Sequence, residues 1–544
     1  MVASRGSRMK GRPFLAVLLM VALLALGLGW GGWWLLWKRG PLQLQHHTLT
    51  IPRAARFVPR QAPLSLYIFS DGVQPVDYIR AVAPLRQREA ATKAVERLRD
   101  GAFAAAGLNY HDELAGWLAP EIGLSLFDAP DGEPGSSWLL VLSSKDGEGA
   151  RRFLQRFWQS RSLAGSGLQI SQYRGMGLIS GRGALVGRDP APLATALVQD
   201  DLVLIASGRT TLERALDVSQ IDALNEAGLT PLKEGVEQLG EGIALLVARS
   251  EAFSPWLGLP EVQAADGTGD PLLVGSIHPN GRQLEFQGVL HGAPSPAASS
   301  SPQTGIGARE ALATETLLLK GLGGESQSLA LLRNPMSLLA LPWLKPLVQA
   351  ITAPPGSGPL PLQLAAVDPG VLLVSRAPEG WLLGTNDQTP RPEALEAPLA
   401  AEGLIDAPLE VDGETVTVWT RLDAKQGAGD QLQAAVSGWW RPRDGVAWWG
   451  GNLALLHQKP AGRSVLARQQ QLEDLNRPEA PLRWALGEEA ATALFQHWGP
   501  WTRLTTVAGG PLAKGLDSLA LALEPADSTV GWTARIAFAA PPHG

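Results

Sequence analysis

The groups in this chain that could move protons or hold a metal are eight histidines and 52 carboxylates, with no cysteine among 544 residues. The lack of cysteine removes disulfides, thiolate nucleophiles, iron–sulfur ligation and cysteine-rich zinc sites together. The histidines form no HxxxH or HxH pair; His46 and His47 are adjacent and the others stand alone in the sequence. An isolated histidine is more often a surface or core residue than a ligand, so no metal site is expected. No GxSxG elbow, SxxK pair, HExxH, Walker A loop or GxGxxG after a strand occurs, and Gly175-Met-Gly177 and Gly305-Ile-Gly307 are fragments too short to use. Glycosidase-type carboxylate pairs cannot be recognised from spacing. Asp200-Asp201 and Glu488-Glu489 read as solvated loop or helix-start residues. The sequence therefore points to no catalytic residue and no cofactor.

One group stands above this background: Trp439 and Trp440, then Arg-Pro-Arg-Asp-Gly, then Trp448 and Trp449, with Trp498 and Trp501 further on. The RPRDG stretch predicts a turn between two strands. Adjacent strand residues point to opposite faces of a sheet, so one tryptophan of each pair faces away from whatever its neighbour packs on. Either both faces are covered by protein, or one face carries an exposed aromatic patch that binds a membrane surface, an apolar ligand or a partner protein.

The elements that would carry these residues follow from charge and hydropathy. Arg5, Arg8, Lys10 and Arg12 precede an uncharged run from Phe14 to Trp37. As a helix its 24 residues span about 36 Å, enough for a hydrocarbon core of about 30 Å. Trp30, Trp33, Trp34 and Trp37 crowd its distal end, where indoles favour the headgroup layer. The run exceeds a usual signal-peptide core and lacks a small-x-small cleavage site, which favours an uncleaved single-pass anchor. The denser basic group lies before it, so residues 1–13 are expected in the cytoplasm and the bulk on the extracytoplasmic side, periplasmic or lumenal.

Residues 38–60 read as a tether punctuated by Pro41, Pro52 and Pro59, and residues 293–308, APSPAASSSPQTGIGA, as a linker. The stretches on either side, 61–292 and 309–540, are expected to be two related copies. The segment from Asp201 to Leu224 echoes Asn452 to Leu475 without a gap, each copy reading as a strand that begins at Leu202 or Leu453, a Gly-containing turn and a helix, and Leu64–Ile68 echoes Thr316–Lys320 at nearly the same offset. Strands are expected at Leu64–Phe69, Ile122–Phe127, Trp138–Ser143, Gly167–Ser180, Ala184–Gly187 and Gly242–Arg249, and in the pair Leu272–Ile277 and Gln283–Leu290. The second copy adds Thr316–Lys320, Val371–Ser375, Thr415–Arg421, Leu516–Leu523 and Thr529–Phe538. Helices are expected over Val76–Ala106, with an apolar face packed on a sheet, and over Glu148–Ser160. Strand runs with helices between them predict α+β: a transmembrane helix, then two copies of a mainly antiparallel sheet with helices on one face.

Pro63-Leu-Ser-Leu-Tyr, the run Asp112-Glu-Leu-Ala-Gly-Trp117-Leu-Ala-Pro-Glu-Ile-Gly-Leu-Ser-Leu126, the Tyr173-Arg-Gly175 step and Leu202-Val-Leu-Ile-Ala give residues 55–290 a pattern that resembles the family called domain of unknown function 3352. Ala119 stands where that family tends to have glycine. The resemblance implies a single-pass membrane protein of the cyanobacterial kind and brings no known activity. A net charge of -6 with no basic stripe after residue 60 argues against nucleic acid. The expected partners are the membrane and, through binding or scaffolding, a membrane protein, a lipid or an apolar ligand. The alternative is a hydrolase acting on envelope or membrane substrates.

Overall fold

The computed structural model describes residues 40–128, 136–161, 167–183, 191–265, 269–294, 307–353, 356–386, 392–424, 432–457, 459–509, 515–526 and 529–538. Among them the protein is α+β, with twenty strands in one antiparallel sheet and helices packed against it. The run 14–37 lies outside the described residues, and no described helix is long and apolar enough to cross a membrane.

The first half holds β1 (Leu64–Phe69), β2 (Leu118–Asp128), β3 (Ser136–Ser144), β4 (Gln169–Tyr173), β5 (Met176–Gly183), β6 (Ala191–Val198), β7 (Leu202–Ala206), β8 (Ala244–Arg249), β9 (Leu272–Asn280) and β10 (Gln283–His291). The second holds β11 (Ser328–Arg333), β12 (Val371–Ala377), β13 (Gly380–Asn386), β14 (Ile405–Val411), β15 (Glu414–Ala424), β16 (Leu432–Arg443), β17 (Val446–Gly450), β18 (Leu482–Gly487), β19 (Leu516–Pro525) and β20 (Thr529–Phe538). Their spatial orders are the same. The first runs β4-β5-β6-β7-β3-β2-β1-β8-β9-β10. The second runs β14-β15-β16-β17-β13-β12-β11-β18-β19-β20. The halves join through their last strands, β10 antiparallel to β20, with Gln287 opposite Thr533 at the midpoint. A half-turn about that point exchanges the two strand orders. At this joint the indole of Trp532 lies over Gly288, where a Cβ would fall 2.1 Å from its Nε1.

The α-helices of six or more residues are α1 (Gln74–Val82), α2 (Arg88–Ala105), α3 (Gly147–Arg161), α4 (Arg209–Val218), α5 (Thr230–Leu239), α6 (Ala308–Gly321), α7 (Pro335–Ala340), α8 (Lys345–Thr352), α9 (Leu360–Val367), α10 (Glu396–Ala401), α11 (Arg463–Asp474), α12 (Glu488–His497) and α13 (Gly499–Val507). They cover both faces of the sheet, where one was expected. In β7, Leu202, Leu204 and Ala206 join a core with Leu212 of α4 and Leu232 of α5, while Val203 and Ile205 join another with Phe153 and Phe157 of α3. In β11, Leu329 and Leu331 pack with Leu318 of α6 and Val465 of α11, while Ala330 and Leu332 pack with Val348 of α8 and Phe495 of α12. Each side chain buried this way contributes roughly 1.5–3 kcal/mol. The core holding α8 and α12 continues onto Ala248, Phe253 and Leu290 of the first half, so one apolar layer spans the joint.

Five further expectations are corrected. Residues 41–62 do not hang free: Leu44, Leu49, Ala54, Ala55, Phe57 and Val58 are buried, and the segment bonds through Leu49 N to Gly240 O (2.9 Å) and Glu226 N to Val58 O (2.9 Å). Thr316–Lys320 lies in α6, because Ala311, Glu315 and Leu318 are buried at helical spacing, a period that a five-residue window hides. Leu453–Leu456 is a 3-10 turn capped by the Asn452 side chain, and the counterpart of β7 is Val446–Gly450. The stretch Gly167–Ser180 is two strands, turned at Arg174 and Gly175, both at positive φ (52° and 79°). The face of α2 packs chiefly on α1 and α13 rather than on the sheet, which Phe103 approaches through the core under α3; a Cβ at Gly101 would meet Val507 O at 1.9 Å. The expected strand at Ala184–Gly187 and most of the expected linker lie outside the described residues.

Candidate functional site

The tryptophans of β16 and β17 flank a turn at Asp444 and Gly445, both at positive φ (53° and 79°), and Trp440 lies opposite Trp449 in the ladder. Trp439 and Trp448 are buried in the core beneath α6, while Trp449 is buried, and Trp440 half-buried, in the core beneath α8. Trp439 Nε1 donates to Asn452 O at 2.8 Å, and Trp449 stacks on Trp419 with ring centroids 5.6 Å apart. Trp439, Trp448 and Trp449 are thus covered by protein and Trp440 partly so, and the four residues form no continuous exposed patch. Trp498 and Trp501 seal the joint between halves: Trp498 Nε1 donates to Leu257 O at 2.7 Å, and Trp501 packs on Phe495 at 4.5 Å.

The concave, charged surface lies elsewhere, in a cavity of about 720 Å3 between residues 110–116 and α3. A π-turn over Tyr110–Leu114, capped by the Asn109 side chain, presents His111 and Asp112 on one wall. The other wall is α3, where Arg152 and Arg156 share a face at i, i+4 spacing, with Gln159 and Ser160 a turn beyond. Trp117 and Phe153 make the floor, their rings 5.0 Å apart. Behind it Arg161 clamps Glu113 in two parallel bonds of 2.7 and 2.9 Å, covers the Phe157 ring at 4.6 Å and donates to Gly107 O at 3.0 Å. That bidentate pair fixes the turn against α3. Asp146 receives Arg152 at 3.3 Å, and His111 Nε2 lies 2.9 Å from an Arg99 nitrogen. A pocket with arginines on one wall and carboxylates on the other suits a polar group bearing both charges. A second cavity, of about 430 Å3, is lined by residues around Gly380, Trp381 and Asn452.

The parts of the first cavity lie 30 to 50 residues apart in the sequence and carry no motif. The signal it offered was the Asp112–Trp117 run followed by an amphipathic helix with two arginines one turn apart.

The strongly perturbed acids are sealed in the cores, away from both cavities. Glu226 accepts a hydrogen bond from the Tyr67 hydroxyl, and burial pushes its carboxyl up to about 7 against the pull of Tyr67, Ser65 and Arg249. Burial likewise raises Asp368 to about 7, although it accepts from Gly370 N at 2.7 Å. A folded-state pKa raised above the unfolded value stabilises below the unfolded pKa, and that stability is lost as pH rises through the folded pKa. Thermal stability is therefore expected to fall between about pH 4.5 and pH 7, by about 3 kcal/mol for Glu226 alone. Glu226→Gln should remove about half of that slope, Asp368 carrying the rest, in a melting series from pH 5 to 8; an unchanged slope would mean that Glu226 is ionised in the fold.

No curated protein matches the chain. Among solved structures, crystal form I of TP0453 is 13% identical, covers 44% of this chain and 77% of its own, and superposes with a TM-score of 0.24. Crystal form III gives 11%, 44%, 80% and 0.25. Superpositions this poor carry no argument about function. The family model described as "Protein of unknown function (DUF3352)" matches residues 18–327. The chain, matched over more than half its length, belongs to that family.

Proposed function

We propose that the protein is a single-pass, membrane-anchored extracytoplasmic binding or scaffolding protein, with residues 14–37 in the bilayer and the α+β body outside the cytoplasm. The observation that carries this reading is the start of the family match at residue 18, inside the apolar run, so that the run belongs to the pattern the family shares. The repeated strand order supports a reading of the body as two related copies. The cavity between residues 110–116 and α3 is the binding site we favour, and its opposed charges suit a zwitterionic group on a lipid or a membrane protein. The test is capture of the full chain from gently solubilised membranes, with mass spectrometry of what accompanies it. Arg156 is exposed and can be reversed without opening a core. A lipid or protein retained by the native chain and lost from Arg156→Glu, at unchanged melting temperature, is the expected result. Equal recovery by both would remove the cavity from the proposal.

The convergence of His111, Asp112 and Asp146 on that cavity supports a second reading, hydrolysis of envelope or membrane substrates. Lipid turnover abolished by His111→Ala would favour it.

A further inference from the structure

We infer that the surface formed by residues 41–46 and α1 docks on the headgroup layer of the bilayer that holds residues 14–37, so that the body lies against the membrane rather than swinging from it. The inference rests on the anchor reading and adds where the body sits. The apolar run ends in the sequence at Trp37, and the chain is already fixed to the body at Pro41. Leu44 is buried, Gln45 Nε2 donates to the Tyr78 hydroxyl at 2.8 Å, Tyr78 donates to Gly281 O at 3.0 Å, and Gly242 N donates to His47 O at 2.9 Å. His47 also stacks on Phe69 at 5.5 Å. Four residues of extended chain reach at most about 14 Å. Headgroups occupy roughly 5–7 Å beyond the hydrocarbon. Whatever surrounds Pro41 must therefore lie at or just above the headgroups.

The side chains found there suit that position. Leu42 is 47% exposed, Val73 at the start of α1 is 48% exposed, and Leu85 just past its end is 80% exposed. Arg80, Arg86 and Arg282 are exposed around them, the last in the turn that Tyr78 holds. The acids on this surface are engaged: Asp77 receives Arg80 at 2.9 Å, and Asp71 caps α1 through Val73 N and Gln74 N. Protruding leucine and valine among arginines is the composition of surfaces that seat in the interface of an anionic bilayer. Docking would also bring the charged cavity close to the lipid. Tyr110, next to the rim residue His111, packs against Gly72, where a Cβ would fall 2.4 Å from its ring, and Gly72 precedes Val73.

The chain has no cysteine, so single substitutions report cleanly. Leu42→Cys, Val73→Cys and Leu85→Cys would each carry an environment-sensitive fluorophore in the full chain, reconstituted into phosphatidylcholine–phosphatidylglycerol vesicles with and without brominated lipid. Ile170→Cys and Ile405→Cys serve as controls on β4 and β14, where the native residues are 80% and 63% exposed. The expected result is a blue-shifted emission quenched several-fold by brominated lipid at positions 42, 73 and 85, and none at 170 and 405. Probes at 42, 73 and 85 as wet as the controls, in protein that resists alkaline extraction, would overturn the docking and leave the anchor standing. Extraction by alkali would overturn the anchor and the docking with it.

Discussion

Glu315→Ala is expected to destabilise the second half by about 3–5 kcal/mol, the loss typical of removing one partner from a buried ion pair. Glu315, on α6, is buried and receives two arginines from the sheet: Arg333 of β11 through Nε and Nη2, at 2.7 and 3.1 Å, and Arg483 of β18 through Nη2. Truncation leaves two guanidinium groups in a water-poor layer with, among the described residues, the Pro478 and Glu479 carbonyls, both bonded to Arg333, to answer them. The charges are a poor source of net stability, because desolvation offsets most of their attraction. Replacing all three together by Glu315→Leu, Arg333→Met and Arg483→Met should therefore stay within about 1 kcal/mol of the native chain. Urea denaturation of the single and triple variants checks both statements. Equal losses would show that the triad stabilises by attraction rather than merely being dangerous to break.

Trp449→Ala and Trp439→Ala are each expected to lose about 3–5 kcal/mol, and Trp440→Ala about half as much. Trp449 is fully buried, stacks on Trp419 and donates to Thr385 Oγ1 at 3.3 Å. Trp439 fills the opposite core and lies so close to Gly450 that a Cβ there would meet its ring at 2.4 Å. Trp440 keeps part of its surface in water and its ring centroid sits 6.2 Å from that of Trp449, so truncation leaves a smaller void. Thermal melts of the three variants give the order. A Trp440→Ala loss as large as the other two would mean that its wet face is closed by a partner in the protein as it exists.

The strand ends of the chain were legible in its residues. β1, β7, β12 and the pair β19 and β20 lie within two residues of their expected positions, because each is a short apolar run bounded by Gly, Pro, Asp or Ser. The helix cover on both faces was also written there and passed unread. LVLIA in β7 and LALL in β11 are continuous apolar runs, the pattern of strands buried on two sides, whereas a sheet with one wet face alternates. The repeated strand order has an echo in the sequence that is misaligned in detail. Matching by leucines paired β7 with Leu453–Leu456, seven residues past its true counterpart, because the tryptophans of Val446–Gly450 do not resemble the aliphatic run of Leu202–Ala206. The charged cavity was invisible for a different reason. Its two walls are brought together by Glu113 and Arg161, 48 residues apart, and a bidentate ion pair leaves no periodic trace.

The measurement that tests the central claim most directly is the accessibility of two single cysteines to a membrane-impermeant maleimide in intact cells. One is Ser4→Cys, before the apolar run, and the other is Ile170→Cys, on the exposed edge strand β4. A body outside the cytoplasm with its amino terminus inside predicts that the Ile170→Cys chain labels at once and the Ser4→Cys chain only after permeabilisation, with both remaining in the pellet after an alkaline wash. Labelling of the Ser4→Cys chain alone, or release of the protein by alkali, would contradict it.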